Sequence, residues 1–531
     1  MRRTVSLLSL VVVLLPLCTS AQQPDWLVHW PVNYTMNPGM PRHVLASSDN
    51  GSLMSARLMS SAIAFGQDVF GSCAVERLDP GTGQPLWTCF LGDSLTVESG
   101  AVDDSGNVYV AGRFMAYVAF CDGSVLGNTG SAFDVNLYLA KFDATGLVMW
   151  TRNLSVSDPQ ASMILCLAID PIGSLWYATT DFFVGKVVRV DAQGNDVEVR
   201  TIDGAKMIGG VDFSPSGALY VSGAADNNGF SFGGMSAQPS GSYHMFALRY
   251  DAAGQGDWVE FASDITFQQP SIAVDDLGSV YISCGIFDST SWGGIAFNGP
   301  DWVSDVFLVK ADSTGQFLWG VESDQPGGLI TGDLEQAARP YVDLDDQGNV
   351  YITGTLRGLV DWGGGVISDG ITLGVRTQTI VAFNTNGIPL WSSTSTPASA
   401  FTQTMALTSF DNGTIYFSSH VSGQYDFPPF SANVGGQQAY VIGRMSGIGL
   451  GITSPLPEEE ISIWPVPARS VITVDLDASV GIRAMLHSAT GQSLRSIRLS
   501  PGANIVDLSD VGAGLYFLRT SNGNAYALIK E

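Results

Sequence analysis

The run Asp103-Asp104-Ser105-Gly106-Asn107-Val108-Tyr109-Val110-Ala111-Gly112 spells a tight turn that feeds an alternating strand. An Asp side chain caps the backbone N–H groups beyond it, Gly supplies the positive φ that closes the turn, and Val and Tyr at alternate places favour a strand. The turn returns as Asp170-Pro171-Ile172-Gly173-Ser174-Leu175-Trp176 and as Ser214-Pro215-Ser216-Gly217-Ala218-Leu219-Tyr220. It returns again as Asp275-Asp276-Leu277-Gly278-Ser279-Val280-Tyr281 and Asp345-Asp346-Gln347-Gly348-Asn349-Val350-Tyr351. Asp49-Asn50-Gly51-Ser52 and Asp411-Asn412-Gly413-Thr414 are shortened copies. The glycines stand at 51, 106, 173, 217, 278, 348 and 413, a mean step of about 60 residues.

A second turn alternates with the first. Its clearest copy is the strand Leu137–Phe142, then Asp143-Ala144-Thr145-Gly146, then Trp150. Others centre on Asp79 and Gly83 with Trp87, Asp191 and Gly194, Asp251 and Gly254 with Trp258, Asp312 and Gly315 with Trp319, and Asn384 and Gly387 with Trp391. Arg444-Met445-Ser446-Gly447 reads as a seventh copy. Two hairpins per unit make four antiparallel strands. Steps this uneven do not suit the short regular coils of a β-helix, but they suit a propeller, whose interstrand loops vary in length. The expected fold is all-β, a β-propeller of seven blades over residues 22–448, then a linker at 449–460 and a small β-sandwich at 461–531.

Several units insert an aromatic followed by a tight turn between their second and third strands: Ser231-Phe232-Gly233-Gly234, Ser291-Trp292-Gly293-Gly294, Asp361-Trp362-Gly363-Gly364 and Asp426-Phe427. Such aromatics either present a stacking surface for sugars or fill the gaps between blades. Their recurrence favours the scaffold role. The repeated Asp-x-x-Gly-Asn-Val-Tyr-Val-x-Gly, with the later Lys-x-Asp-x-x-Gly-x-x-x-Trp, resembles the bacterial β-propeller repeat of the SBBP type over roughly residues 45 to 448. That resemblance implies a secreted or surface-exposed propeller and no particular activity.

The ends speak of export. Met1-Arg2-Arg3-Thr4, an apolar run from Val5 to Leu17, and Cys18-Thr19-Ser20-Ala21-Gln22 read as a secretory signal peptide over residues 1–21, with cleavage between Ala21 and Gln22. A lipoprotein reading through Cys18 is the alternative, but Leu-Pro-Leu before it makes a poor lipobox. The run is too short to span a bilayer, and no other stretch is long enough. In the tail, alternating strands are expected at 471–476, 482–487, 494–499, 505–508, 514–519 and 525–529. The tail resembles the type A C-terminal sorting domain of the type IX secretion system found in Bacteroidetes. The matching pieces are Ile463-Trp464-Pro465-Val466-Pro467-Ala468, the Gly491 turn, Gly514-Leu515-Tyr516-Phe517-Leu518 and Ala527-Leu528-Ile529-Lys530. Pro465, Pro467, Gly514, Tyr516 and Lys530 carry the motif, and Trp464 and Val466 depart from the family's usual Tyr and Asn. The resemblance implies the type IX machinery as a partner, passage through the outer membrane, and secretion or attachment at the cell surface.

Export permits disulfides. Cys73 and Cys89 flank the Asp79–Gly83 turn almost symmetrically, so a hairpin is expected to set them opposite each other as a cross-strand pair. The alternative is two small buried apolar residues.

Chemistry is harder to find. The five histidines, His29, His43, His244, His420 and His487, form no metal-binding spacing, and there is no nucleophile elbow or phosphate-binding loop. The pairs Asp103-Asp104, Asp275-Asp276 and Asp345-Asp346 recur at one turn position, so capping explains them better than the facing carboxyls of a glycosidase. Oxygen-rich turns suit Ca2+, but no copy carries Asp-x-Asp-x-Asp-Gly, so no cofactor is expected. Lys and Arg number 24 against 50 Asp and Glu, a formal net charge of −26. Nucleic acid, which demands a basic surface, is excluded as a partner. What remains is a non-catalytic binding, adhesion or scaffold protein with a glycan or protein ligand. The alternative is a secreted hydrolase or lyase whose site lies in the propeller channel, with His244, His420, Arg339 and Arg357 as its non-repeating candidates.

Overall fold

The computed structural model describes residues 23–32, 43–65, 68–239, 241–266, 268–299, 305–323, 332–336, 341–370, 376–395, 401–410, 413–446, 460–477, 482–488, 493–509, 511–520 and 525–531. Among them the chain is almost wholly strands, with one helical turn at Leu154–Ser157. No helix among the described residues is long and apolar enough to cross a membrane.

Every first-turn glycine named above has a positive φ, from 71° at Gly413 to 83° at Gly173 and Gly217. The units follow from the turns. Unit 1 pairs His43–Ser47, Leu53–Phe65, Asp68–Leu78 and Pro85–Leu95 in sequence order. Unit 2 uses Ser99–Val102, Val108–Phe114, Asn136–Phe142 and Val148–Asn153. Unit 3 uses Met163–Ile169, Leu175–Thr180, Val184–Val190 and Asp196–Asp203, and unit 4 uses Ala205–Phe213, Leu219–Ala225, His244–Tyr250 and Gly256–Ser263. Unit 5 uses Ser271–Val274, Val280–Ile286, Asp305–Ala311 and Phe317–Glu322. In unit 6 the first strand is split into Gly332–Gln336 and Val342–Leu344, both against Val350–Asp361, followed by Thr377–Phe383 and Pro389–Thr394. The last sheet holds Phe401–Phe410, Thr414–Phe427 and Phe430–Met445. Its fourth strand is Trp26–Val32, antiparallel with Trp26 opposite Arg444 and Val32 opposite Gln438. Arg444 and Met445, read as the head of a last turn, instead end the strand, and a strand from the other end of the chain holds the fourth place; Gly447 lies outside the described residues. Each unit's innermost strand packs on that of the next, and the strand Phe401–Phe410 returns to His43–Ser47. The architecture is propeller-like.

Both faces of these sheets are apolar, and the cores lie between units. Tyr109, Leu137 and Leu139 of unit 2 pack with Ile164, Leu175 and Tyr177 of unit 3. Ala218, Tyr220 and Met245 of unit 4 pack with Ile282, Phe307 and Val309 of unit 5. Leu45, Leu53 and Leu78 of unit 1 pack with Trp26, Tyr416 and Ile442 of the last sheet.

A recurring joint fastens the outer rims. The tryptophan of one unit lies flat over the second-turn glycine of the next, and its indole N–H donates to the carbonyl just after that turn's Asp or Asn. Trp87 Nε1 donates to Ala144 O (3.1 Å), Trp150 to Ala192 O (3.1 Å), Trp258 to Ser313 O (3.2 Å) and Trp319 to Thr385 O (3.0 Å). Trp26 Nε1 does the same to Pro80 O (3.3 Å), over Gly83. A Cβ at Gly83 would stand 2.5 Å from the Trp26 ring, so glycine is required there by contact as well as by its φ of 70°.

The expected Cys73–Cys89 disulfide is also corrected. The turn closes with Asp79 N donating to Gln84 O, and a bulge between Arg77 and Leu78 shifts the register, so Cys73 faces Leu91 and Cys89 faces Val75. Cys89 is bonded instead to Cys121, and Cys73 is a buried free thiol. The bond ties unit 1's outer strand to the loop region inserted in unit 2.

In the tail, Glu460–Trp464, Val471–Asp477 and Gly502–Asp507 form one sheet; Ser493–Leu499, Ile482–Ser488, Gly514–Thr520 and Ala525–Lys530 form another. Both feed one apolar core that includes Ile472, Val474, Leu486, Leu518 and Leu528. The strand from Glu460 was not expected. The expected linker otherwise lies outside the described residues, as do the signal segment with Ala21 and Gln22 and the Gly491 turn.

Two outcomes are expected. Trp26→Ala removes a large buried ring and its hydrogen bond, and should lower the unfolding free energy by about 3–5 kcal/mol in denaturant titration. Trp391→Ala, whose ring covers no second-turn glycine among the described residues, should cost less. Peptide mapping without reduction should recover Cys89 joined to Cys121, and Cys89→Ser should cost about 3–4 kcal/mol, because the bond spans 32 residues of otherwise free chain.

Candidate functional site: the acidic channel

The innermost strands and first turns surround a cavity of about 930 Å3. Its walls are small or apolar, with Gly100, Ala101, Gly209, Gly210 and Ala273 among them. Its charged lining is carboxylate, including Asp49, Asp104, Asp276 and Asp346 from the first turns, Glu98 just before a strand, and Asp212 and Asp343 within the innermost strands. No Lys, Arg or His lines it among the described residues.

The first carboxylate of each pair is a structural cap. Asp103 Oδ1 accepts from the backbone N–H of Ser105 (3.0 Å) and Asn107 (2.9 Å), and its Oδ2 accepts from Asn107 Nδ2 (2.8 Å) and the Tyr109 hydroxyl (3.0 Å). Asp345 repeats the set with Asn349 and Tyr351, whose hydroxyl donates at 2.7 Å. Asp170 accepts from the Trp176 indole in the same way, at 2.9 Å. The aromatic six residues on thus locks the turn to its own strand.

Asp212 and Asp343 are different, and sequence reasoning missed them. They stand two places before the first-turn capping residue, where other units carry Ala101, Ala168 or Ala273. Each reaches across to the next unit. Asp212 Oδ2 accepts from Val274 N (2.7 Å); Asp343 Oδ2 accepts from Ser409 N (2.7 Å) and Thr408 Oγ1 (3.1 Å). Thr408 continues the chain of contacts, its Oγ1 accepting from Ser47 N (3.2 Å). The only advance signal was a polar residue interrupting a column of alanines. Burial pushes the Asp212 carboxyl up to about 7, with the charges of Asp343 and Asp49 adding and its backbone hydrogen bonds opposing. Burial likewise lifts Asp343 to about 6 against its four hydrogen bonds.

The non-repeating candidates are not brought together. His244 is buried in unit 4, edge-on to Phe261. Arg357 sits in unit 6, sharing Glu335 with Arg376. Arg339 lies outside the described residues. His420 is buried in the last sheet against Tyr440, whose ring also meets His43, and burial drops the His420 imidazole to about 3. His43 accompanies it at the joint between the last sheet and unit 1. It shares a hydrogen bond with Ser55 Oγ (2.8 Å), and burial, then Arg57 and His420, depress its pKa. The inserted aromatics Phe232, Trp292, Trp362 and Phe427 are all buried, Trp292 stacked on Phe317 at 5.7 Å. They fill joints and offer no stacking surface. Among the described residues no group of three or more His, Cys, Asp or Glu is placed to hold a metal ion.

The tail's motif residues converge. The segment after Trp464-Pro465-Val466-Pro467 runs beside the last strand, with Ala468 N donating to Ile529 O (2.7 Å) and Glu531 N to Ala468 O (2.8 Å). Gly514 opens the central strand, and the Tyr516 hydroxyl donates to Gly512 O (2.8 Å).

Residues 462–530 match the family described as the secretion system C-terminal sorting domain, the tail of type IX substrates. The chain therefore carries a sorting domain for export and delivery to the cell surface. No curated protein matches the chain. Similar solved structures include virginiamycin B lyase from Staphylococcus aureus, at 11% identity over 78% of this chain and 98% of that one, with a TM-score of 0.36. The Dos1 propeller is similar at 9% identity over 79% and 95%, with a TM-score of 0.36. PorZ, a surface component of the type IX secretion system of Porphyromonas gingivalis, is similar at 12% identity over 92% and 70%, with a TM-score of 0.30. At such scores these likenesses carry no argument here.

The channel predicts a pH effect. A carboxyl with a raised folded-state pKa binds its proton more tightly folded than unfolded. Its stabilising effect is full below the ordinary carboxylate range and is lost as pH rises through 6 to 7. Asp212→Asn with Asp343→Asn keeps an oxygen acceptor and abolishes the titration. Relative to the wild type, the double variant should be more stable at pH 8 than at pH 5, measured by denaturant titration at both.

Proposed function

We propose that the chain is an exported seven-bladed β-propeller that works at the cell surface by binding, delivered by a tail that folds as a small β-sandwich. In this reading residues 1–21 are a signal peptide cut between Ala21 and Gln22, residues 22–448 the propeller, 449–460 a linker and 461–531 the sorting domain of type A. The source is a member of the Bacteroidetes, and the repeat is of the SBBP type. The match of residues 462–530 to the sorting family carries the export half. The blade count is supported by seven positive-φ first turns and by the strand Trp26–Val32 completing the last sheet.

Binding without catalysis, and without a cofactor, is supported by how the conspicuous groups are used. The first carboxylates cap turns, and the recurring aromatics are buried in joints. The ligand is proposed to be a glycan or a protein met outside the cell. Asp212 and Asp343 favour a second reading, a hydrolase or lyase in the channel, because their carboxyls lie along one cavity and titrate close to neutrality.

Removing residues 461–531 should leave the protein inside the outer membrane, and joining residues 449–531 to a signal-bearing reporter should carry that reporter to the surface. Protease accessibility on intact cells reads both. Surface exposure of the truncated chain would defeat the export reading. Turnover of a polysaccharide or peptide by the purified protein, abolished by Asp212→Asn, would replace the binding reading with the catalytic one.

A further inference from the structure

Unit 3 differs from units 2, 4 and 5 at its rim. Units 2, 4 and 5 carry a small hairpin between their second and third strands, whereas unit 3 has only Asp181-Phe182-Phe183 there. The hairpin of unit 4 extends into this space and adds to unit 3's outer strand, with Phe232 opposite Ile202 and Ser231 opposite Asp203. Between the short tip and the added hairpin lies an open groove of about 640 Å3, a volume suited to a small ligand.

The tip is held in a shape that folding alone does not favour. Phe182 has φ 69°, a left-handed conformation that bulky side chains rarely take. The strain is held by local bonds: Phe182 N donates to Thr180 Oγ1 (3.0 Å), Phe183 N and Val184 N to Asp181 Oδ1 (2.8 and 2.7 Å), and Gly204 N to Phe183 O (2.8 Å). The result is a rigid tip that leaves the Phe183 ring 69% exposed at the mouth of the groove. That placement leaves apolar surface in water, and strained backbone clusters at functional sites. Lys206 lies 4.5 Å from the ring centroid and is itself paired with Asp226 (2.8 Å), so it supports the ring and its charge is already balanced.

The rest of the lining is polar and small. Asp203 is exposed and uses one oxygen for the Ser231 hydroxyl (2.8 Å). Gln238 donates to Asn227 O, which leaves its amide oxygen toward Gly229. A flat apolar ring beside a carboxylate and an amide fits a ligand with one C–H face and many hydroxyls. An anion is opposed by Asp203, whose charge no lysine balances among the described residues, and by the chain's net charge of −26; a purely apolar ligand would leave the polar lining unpaired.

We propose that this groove binds a neutral saccharide, stacked on Phe183 and hydrogen-bonded by Asp203 and Gln238. The proposal rests on the binding reading above and gives it a site and a ligand class.

The test is isothermal titration of the purified chain with neutral gluco-, xylo- and manno-oligosaccharides, with oligogalacturonates as the acidic control. A neutral oligosaccharide should bind and the acidic series should not. Phe183→Ala should weaken binding by about tenfold or more, the worth of one stacked ring, at an unchanged melting temperature. Phe183→Trp should retain it, and Asp203→Asn should weaken it. Neutral-sugar binding that survives Phe183→Ala overturns this site and leaves the binding reading standing. Absence of binding to every sugar, with capture of a surface protein instead, overturns the saccharide proposal alone. Sugar cleavage abolished by Asp212→Asn overturns both.

Discussion

The structure depends on sheets that are apolar on both faces. Second and third strands such as Leu219–Ala225 and Asp305–Ala311 are buried along their whole length, so such a unit is not satisfied by one neighbour. A row of such sheets would end in two exposed apolar faces, each an aggregation hazard. The last sheet meets this problem by taking its fourth strand from residues 26–32, so that the two ends of the ring are fastened through one hydrogen-bonded ladder. The tryptophan joint repeats the solution at the rim. A ring laid over a glycine with its N–H on a carbonyl gives five of the neighbouring pairs a contact with fixed position, and Trp26 makes that contact where the ends meet.

The repeat was legible because turn chemistry is local. Asp caps and positive-φ glycines act within six residues, and the first-turn glycines named from sequence stand in that conformation. What escaped depends on contacts between distant segments. Trp26 stands where other units have the strand after a second turn, but no turn leads into it and its partner strand lies at the other end of the chain, so the repeat could not be aligned onto it. Cys73 and Cys89 looked symmetrical because counting residues cannot see the bulge at Arg77; Cys121, the true partner, sits in an insertion whose path no periodicity describes. Asp212 and Asp343 were invisible to a search for recurrence because they are exceptions to a column of alanine.

Carboxylates therefore serve at least three ends in one chain. Those at the head of a turn are fully occupied by N–H and O–H donors and act as backbone. Those one place later, Asp104, Asp276 and Asp346, reach the channel mouth and supply its field. Those inside, Asp212 and Asp343, hold neighbouring units together and are costly to ionise where they stand, because the interior solvates charge poorly. Reading acidity as one property would merge a scaffold, a field and a pH-sensitive seam. A field of this sign favours cations and neutral solutes over anions, which narrows the ligands either functional reading allows.

A repeated scaffold also says where to look for what is specific. Positions that recur from unit to unit answer to the ring, and the inserted aromatics Phe232, Trp292, Trp362 and Phe427 prove to be such positions. Specific chemistry belongs where a unit breaks the pattern without a structural gain. Unit 3 is such a place: it shortens a connection, accepts a left-handed phenylalanine, and lifts a second ring into water beside a polar groove. The tail needs no part of this, since its two sheets close on a core of their own and its opening motif packs against its own last strand. The sorting tail and the groove proposed in unit 3 thus rest on separate cores, so a change at the groove is not expected to alter where the protein is sent.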